Sequence, residues 1–135
     1  MGSSPGVADP FRLDAGTLNA LLGGNTGNLA FVQALVRHLP GARVVPWNMR
    51  AQDLQACADL IVIACANQLG PHVDLGEHAD HLATMGLPVV AVGLGAQADS
   101  FDEDTQIPDG TRRWLEVVAR LAPASAPNIG VRGAY

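Results

Sequence analysis

The strongest pattern in the chain is LPVVAVGLGAQ, Leu87 to Gln97, a continuous apolar run that stops at glycine and an amide. An unbroken run of this length bounded by glycine predicts a strand buried on both faces, as in a parallel sheet. A second such run, DLIVIACA over Asp59–Ala66, also ends polar, in Asn67-Gln68-Leu69-Gly70-Pro71-His72. Weaker patterns predict three more strands. These are Thr17–Leu22, interrupted by Asn19; Arg43–Trp47, which contains Pro46 and so reads as a sheet edge; and Asn128–Val131.

Between the strands the spacing turns helical. Leu29, Val32, Leu35, Val36 and Leu39 recur at helical intervals before Pro40-Gly41, and Ala51–Cys57 fits two turns. Asp74 to Met85 carries Leu75, Ala79 and Leu82 on one side and Glu77, Asp80 and His81 on the other. Trp114, Leu115, Val118 and Leu121 make an apolar face on a helix over Thr111–Leu121. Alternating strands and helices predict an α/β fold: a three-layer, Rossmann-like domain with a parallel five-stranded sheet and right-handed crossovers. The Pro-containing second strand suits an edge and DLIVIACA suits the centre, which favours the strand order 2-1-3-4-5. That order gathers the loops after strands 1, 3 and 4 on one carboxyl rim, where open α/β sheets bind ligands. Residues 1–16 read as a flexible lead-in of Gly, Ser and Pro, and 17–135 as the folded domain.

Charge and composition narrow the chemistry. The net charge is −5, and all eight basic residues are Arg, so the sequence offers no basic stripe for a phosphate backbone, and nucleic acid is not an expected partner. Cys57 and Cys65 lack metal-ligand spacing and read as reduced thiols, which, with the absence of a signal-peptide pattern at MGSSPGVADP, suggests a cytoplasmic protein. No apolar run reaches the roughly 20 residues needed to span a bilayer.

Several stretches invite a functional reading. The turn GGNTGN, with Gly24, Asn25, Gly27 and Asn28, lacks the G-x-G-x-x-G spacing, and no acidic residue follows the second strand to hold a ribose. It reads as a helix N-terminus open to an anionic or polyhydroxy ligand, or simply as a tight turn with Asn25 or Thr26 as N-cap. His72 stands on the rim as an acid, a base, an anion contact or a solvated loop side chain. The acidic stretch Asp99–Asp109 misses the calcium-loop pattern and reads as a solvated loop, and no metal or cofactor is expected. Nucleophile-elbow and Walker sequences are absent.

In order, GGNTGNLAF, ADLIVIACANQLG, GLPVVAVGLGAQ and NIGVRGAY resemble the N-terminal half of the polysaccharide pyruvyl transferase family. That family is similar to two-domain, GT-B-type glycosyltransferases, and the resemblance implies a bacterial protein of exopolysaccharide biosynthesis. The resemblance spans roughly Thr17–Tyr135 and implies transfer of pyruvate from phosphoenolpyruvate to two sugar hydroxyls as a ketal. It implies a glycan or glycolipid acceptor facing this domain. Asn28, Asn67, Gln97 and Arg132 fall on the matching motif positions, with Gly95 and His72 beside them. The basic residues for phosphoenolpyruvate are then expected from a second half after Tyr135. By this reading the chain is a truncated, acceptor-side domain, inactive alone and prone to self-association through uncovered apolar surface, with no catalytic residue assigned. Two other readings share the pattern: half of a GT-B glycosyltransferase using a nucleotide sugar, and a non-catalytic Rossmann-like module binding a small polyhydroxy ligand.

Overall fold

The computed structural model describes residues 13–21, 26–96, 106–124 and 126–132. The chain divides into two compact units, residues 1–47 and 48–135.

The first unit contains helices α1 (Ala15–Leu21) and α2 (Thr26–His38). The segment expected to be the first strand is therefore helical. The cause is Asp14, whose Oδ1 accepts the N–H groups of Gly16 and Thr17 at 3.0 Å each, while Oδ2 accepts the Thr17 hydroxyl at 2.5 Å. This is an N-cap on the second and third helical residues, and it decides for helix over a short pattern that fitted either form. The carboxylate is held below its ordinary pKa, first by the Thr17 hydroxyl and then by the backbone N–H groups. The expected edge strand is not formed either. Residues 42–46 carry no strand pairing, and Val44 and Trp47 are exposed.

The second unit holds α3 (Ala51–Gln55), β1 (Ile61–Ala64), α4 (Gly76–Met85), β2 (Val89–Leu94), α5 (Asp109–Arg120) and β3 (Ile129–Val131). Among the described residues the sheet has three parallel strands in the order β1-β2-β3, not five in the order 2-1-3-4-5. DLIVIACA therefore pairs on one side only, and β2 alone is flanked on both. Both crossovers step the same way across the sheet, so right-handed connections bring α4 and α5 to the same face. The two helices pack against each other there.

The core lies between that helix pair and the sheet. It joins Ala79, Leu82 and Met85 of α4, Trp114, Val117 and Val118 of α5, and Val89, Ala91 and Leu94 of β2. Alternation along β2 would send Val89, Ala91 and Gly93 to one face, yet Leu94 is buried in place of Gly93. A bulge resets the phase. Gly93 takes φ +78°, the register shifts between Val92 and Leu94, and the extra residue turns Leu94 inward. Gly86 ends α4 in the left-handed conformation at φ +62°, and Gln55 Nε2 donates to the Met85 carbonyl at 2.6 Å.

Asn128 fastens β3 to this layer. Its buried amide donates to the Val89 carbonyl at 2.9 Å and to the Val118 carbonyl at 2.5 Å, and its own carbonyl accepts the Ala91 N–H at 2.8 Å. Among the described residues no helix is long and apolar enough to cross a membrane.

Candidate functional site

The carboxyl ends of the three strands meet at a small polar rim. Beyond β1, Cys65 N–H donates to the Val92 carbonyl at 2.8 Å, and the chain turns at Ala66-Asn67-Gln68. The Gln68 side-chain oxygen accepts the Ala66 N–H, closing the turn. Pairing with β2 resumes as Leu69 N–H donates to the Gly95 carbonyl at 3.0 Å and Gly95 N–H to the Ala66 carbonyl at 2.7 Å. The loop after β1 is thereby stitched to the loop after β2.

Arg132 completes the rim from β3. Its N–H donates to the Leu94 carbonyl at 2.9 Å, so it continues the strand, and its Nη2 donates to the Asn67 side-chain oxygen. Between them lies Gly95, buried and without room for a side chain. A Cβ there would fall 2.9 Å from Arg132 Nε, 3.2 Å from Asn67 Oδ1 and 3.4 Å from the Ala66 carbonyl. The guanidinium thus lies against bare backbone, and a side chain at position 95 would push it aside through contact rather than through backbone strain, since φ here is unexceptional. On the outer side His72 donates from Nε2 to the Asn67 carbonyl at 3.1 Å, which leaves Nδ1 as an acceptor in the neutral ring.

Of the residues singled out from the sequence, Asn67, His72, Gly95 and Arg132 come together here. Gly24, Asn25 and Gln97 lie outside the described residues. Gly27 and Asn28 fall inside α2, in the first unit, so the strand-to-helix turn expected at them is replaced by helix. Sequence reasoning overlooked Gln68 and the Leu69–Ala96 bridge that extends the β1–β2 pairing. A polar residue two positions after a strand was the signal for Gln68, since a side chain there reaches back to the last free N–H.

The rim supplies hydrogen-bond donors and a fixed positive charge. Among the described residues no carboxylate forms an ion pair with Arg132. Cys65 stands nearest as a conceivable nucleophile, but it is buried, its thiol contacts the Ile63 carbonyl at 3.6 Å, and burial pushes its pKa up to about 11. A thiol that holds its proton this tightly is a core side chain at neutral pH. No group of three His, Cys, Asp or Glu able to hold a metal ion occurs among the described residues.

A second polar cluster joins the N-termini of α4 and α5. Asp74 Oδ1 accepts the Gly76 N–H at 2.9 Å, and the buried Thr111 hydroxyl accepts from Leu75 N–H at 3.2 Å while donating to the Val73 carbonyl at 2.8 Å. Arg113 bridges to the Gly76 carbonyl at 3.0 Å and to Asp80 at 2.8 Å. Its role is to lock the two helix ends beside the sheet. Comparison of the chain with protein-family models, curated proteins and solved structures finds no match.

Proposed function

We infer that the chain forms the acceptor-side part of a polysaccharide pyruvyl transferase-like protein, with the rim of Asn67, His72 and Arg132 orienting sugar hydroxyls. The observation that supports the reading is the meeting of Asn67, Gly95 and Arg132, which come from three of the separate segments that carry the resemblance. In the implied reaction a proton adds to the vinyl carbon of phosphoenolpyruvate, two sugar hydroxyls give up their protons as their oxygens bond to the adjacent carbon, and that carbon's bond to the phosphate oxygen breaks; one of the two protons balances the one added to carbon and the other leaves with phosphate. Asn67 and His72 suit hydroxyls, because an amide and an imidazole each donate and accept. The donor, carrying phosphate and carboxylate together, calls for several fixed cations, and the described rim supplies one.

A second reading is favoured by one observation: no carboxylic acid stands at the described rim to protonate a vinyl carbon. On that reading the same residues bind a polyhydroxy ligand without chemistry.

The experiment titrates the 135-residue chain with β-galactose, mannose and glucose acceptors, and separately follows phosphate release from phosphoenolpyruvate with each. The expected result is acceptor binding that weakens in Asn67→Ala, with little phosphate release from the chain alone. Absence of sugar binding, or binding indifferent to Asn67→Ala, overturns the acceptor role. Sugar binding with nucleotide release from a nucleotide sugar instead identifies a glycosyltransferase.

A further inference from the structure

We propose that the guanidinium of Arg132 is a carboxylate-binding fork, kept open by Gly95 and aimed by Asn67. This deepens the reading above by naming the charge class of ligand at the same rim, but it does not depend on pyruvyl transfer. An arginine presents two edges able to grip a planar oxyanion with paired hydrogen bonds, one formed by Nε and Nη2 and the other by Nη1 and Nη2. Nη2 belongs to both. It commits one hydrogen to the Asn67 side-chain oxygen, and whichever hydrogen that is, the other edge remains whole.

The side chain is also fixed at both ends. Its backbone is held by Leu94 and its tip by Asn67, and its Nε rests where any residue larger than glycine would displace it. A fork restrained in this way loses less freedom on binding than a free surface arginine.

The other arginines of this unit are differently engaged. Arg50 pairs with Asp53 and Arg113 with Asp80, Arg112 donates to the Ile107 carbonyl, and Arg120 lies in the last turn of α5. A neutral diol can accept from the guanidinium but leaves its full positive charge unmatched. A phosphate dianion is the poorer match, because among the described residues of this unit neither helix N-terminus beside the sheet is open to add a second positive element. The N-terminus of α4 is already taken by Asp74, and that of α5 carries Asp109 in its first turn. One intact edge and one positive charge fit a monocarboxylate. Two sources share that chemistry, the carboxylate of a keto-acid donor and that of an acidic sugar.

The test is calorimetric or NMR titration of the whole chain with pyruvate, glucuronate, glucose and inorganic phosphate at one ionic strength. Pyruvate and glucuronate should bind at least about tenfold more tightly than glucose and phosphate. Arg132→Gln should lose that margin, and Arg132→Lys most of it, since a lysine keeps the charge but not the fork. Gly95→Ala should weaken both carboxylates, with a thermal melt of each variant reporting that the fold is retained. Preference for pyruvate points to a donor group, and preference for glucuronate to an acidic acceptor; either supports the fork. Carboxylates bound no better than glucose or phosphate, or carboxylate binding unchanged in Arg132→Gln, overturns it. Because turnover is not read, failure of the transferase reading leaves this result standing, and the reverse also holds.

Discussion

Gly110→Ala is expected to be among the most damaging single-carbon additions in the second unit, although alanine is the better helix former. A Cβ on Gly110 would lie 1.8 Å from Asp74 Oδ1, 2.8 Å from its carboxyl carbon and 2.8 Å from the Gly76 nitrogen. The carboxylate can swing aside, at the loss of its bond to the Gly76 N–H, a charge-assisted contact worth about 1.5–3 kcal/mol. The Gly76 nitrogen is backbone and cannot move without parting the two helix ends that Thr111 ties together, an overpacking cost of about 1–3 kcal/mol. Against this stands a helix-propensity gain of at most about 1 kcal/mol. The net is a loss of about 1.5–5 kcal/mol, a large share of the ~5–15 kcal/mol that holds an ordinary domain together. Urea unfolding followed by circular dichroism measures it. Gly86→Ala is the comparison: its φ is +62° and its nearest neighbour atom is 3.9 Å away, so it should lose only about 1 kcal/mol of stability, through backbone strain alone. Adding Asp74→Ala to Gly110→Ala should change stability little further, because the bond to the Gly76 N–H is already lost and the clash with the Gly76 nitrogen remains. Wild-type stability in Gly110→Ala, or full recovery in the double variant, would refute this account of the helix junction.

Three further outcomes are expected. Val89→Asp places a charge at a position with no solvent exposure and should abolish cooperative melting, while Val90→Asp, half-buried on the opposite face, should be milder; the reverse order would invert the assignment of sheet faces. At pH 8 a disulfide reagent should titrate the exposed Cys57 in the native protein and reach Cys65 only in urea; prompt labelling of both thiols would contradict the burial of Cys65. His78 titrates below its ordinary 6.5, chiefly because burial disfavours the charged ring, with Glu77 opposing and His81 adding to the effect. The unfolded chain then binds this proton more tightly, so the stability present above pH 6.5 should fall as pH drops from 6.5 through the folded value. Melting temperatures from pH 8 to 5 should decline less steeply in His78→Gln, and parallel curves would remove His78 from the account.

The sequence made legible what depended on long apolar runs and hid what depended on a single side chain. LPVVAVGLGAQ and DLIVIACA announced two adjacent parallel strands, and helical spacing found α2, α4 and α5 to within a few residues. Thr17–Leu22 misled because a short apolar stretch fits either period, and the deciding signal was Asp14, one cap residue outside it. Arg43–Trp47 misled because β-branched residues state a preference for extended backbone, while a strand also requires a neighbour to pair with. An unbroken apolar run gives no phase for the inward set of β2, and that phase is reset by a bulge at Gly93. At the rim the residue types could be read from strand ends. The contact of Arg132 with Gly95 and Asn67 could not, since it depends on how three strand ends are brought level.

Asn128 has a consequence for the order in which this unit is built and taken apart. Its amide needs the Val89 carbonyl, 39 residues earlier, and the Val118 carbonyl at the end of α5, so it finds both partners only after β2 and α5 have docked. Until then, burying it leaves polar groups unmatched, and the three-residue β3 is held besides by its pairing with β2 and by Arg132. The short edge strand β3 is therefore expected to dock last and to open first. Arg132 travels with β3, so the rim exists only in the fully closed state and disappears in the shallowest opening of the native protein. A ligand held by Arg132 therefore acts as a latch on that opening, slowing amide exchange at Ile129, Val131 and Arg132 more than in the α4–α5 core. Occupancy of the rim can then be read from the exchange of one short edge strand, without any turnover.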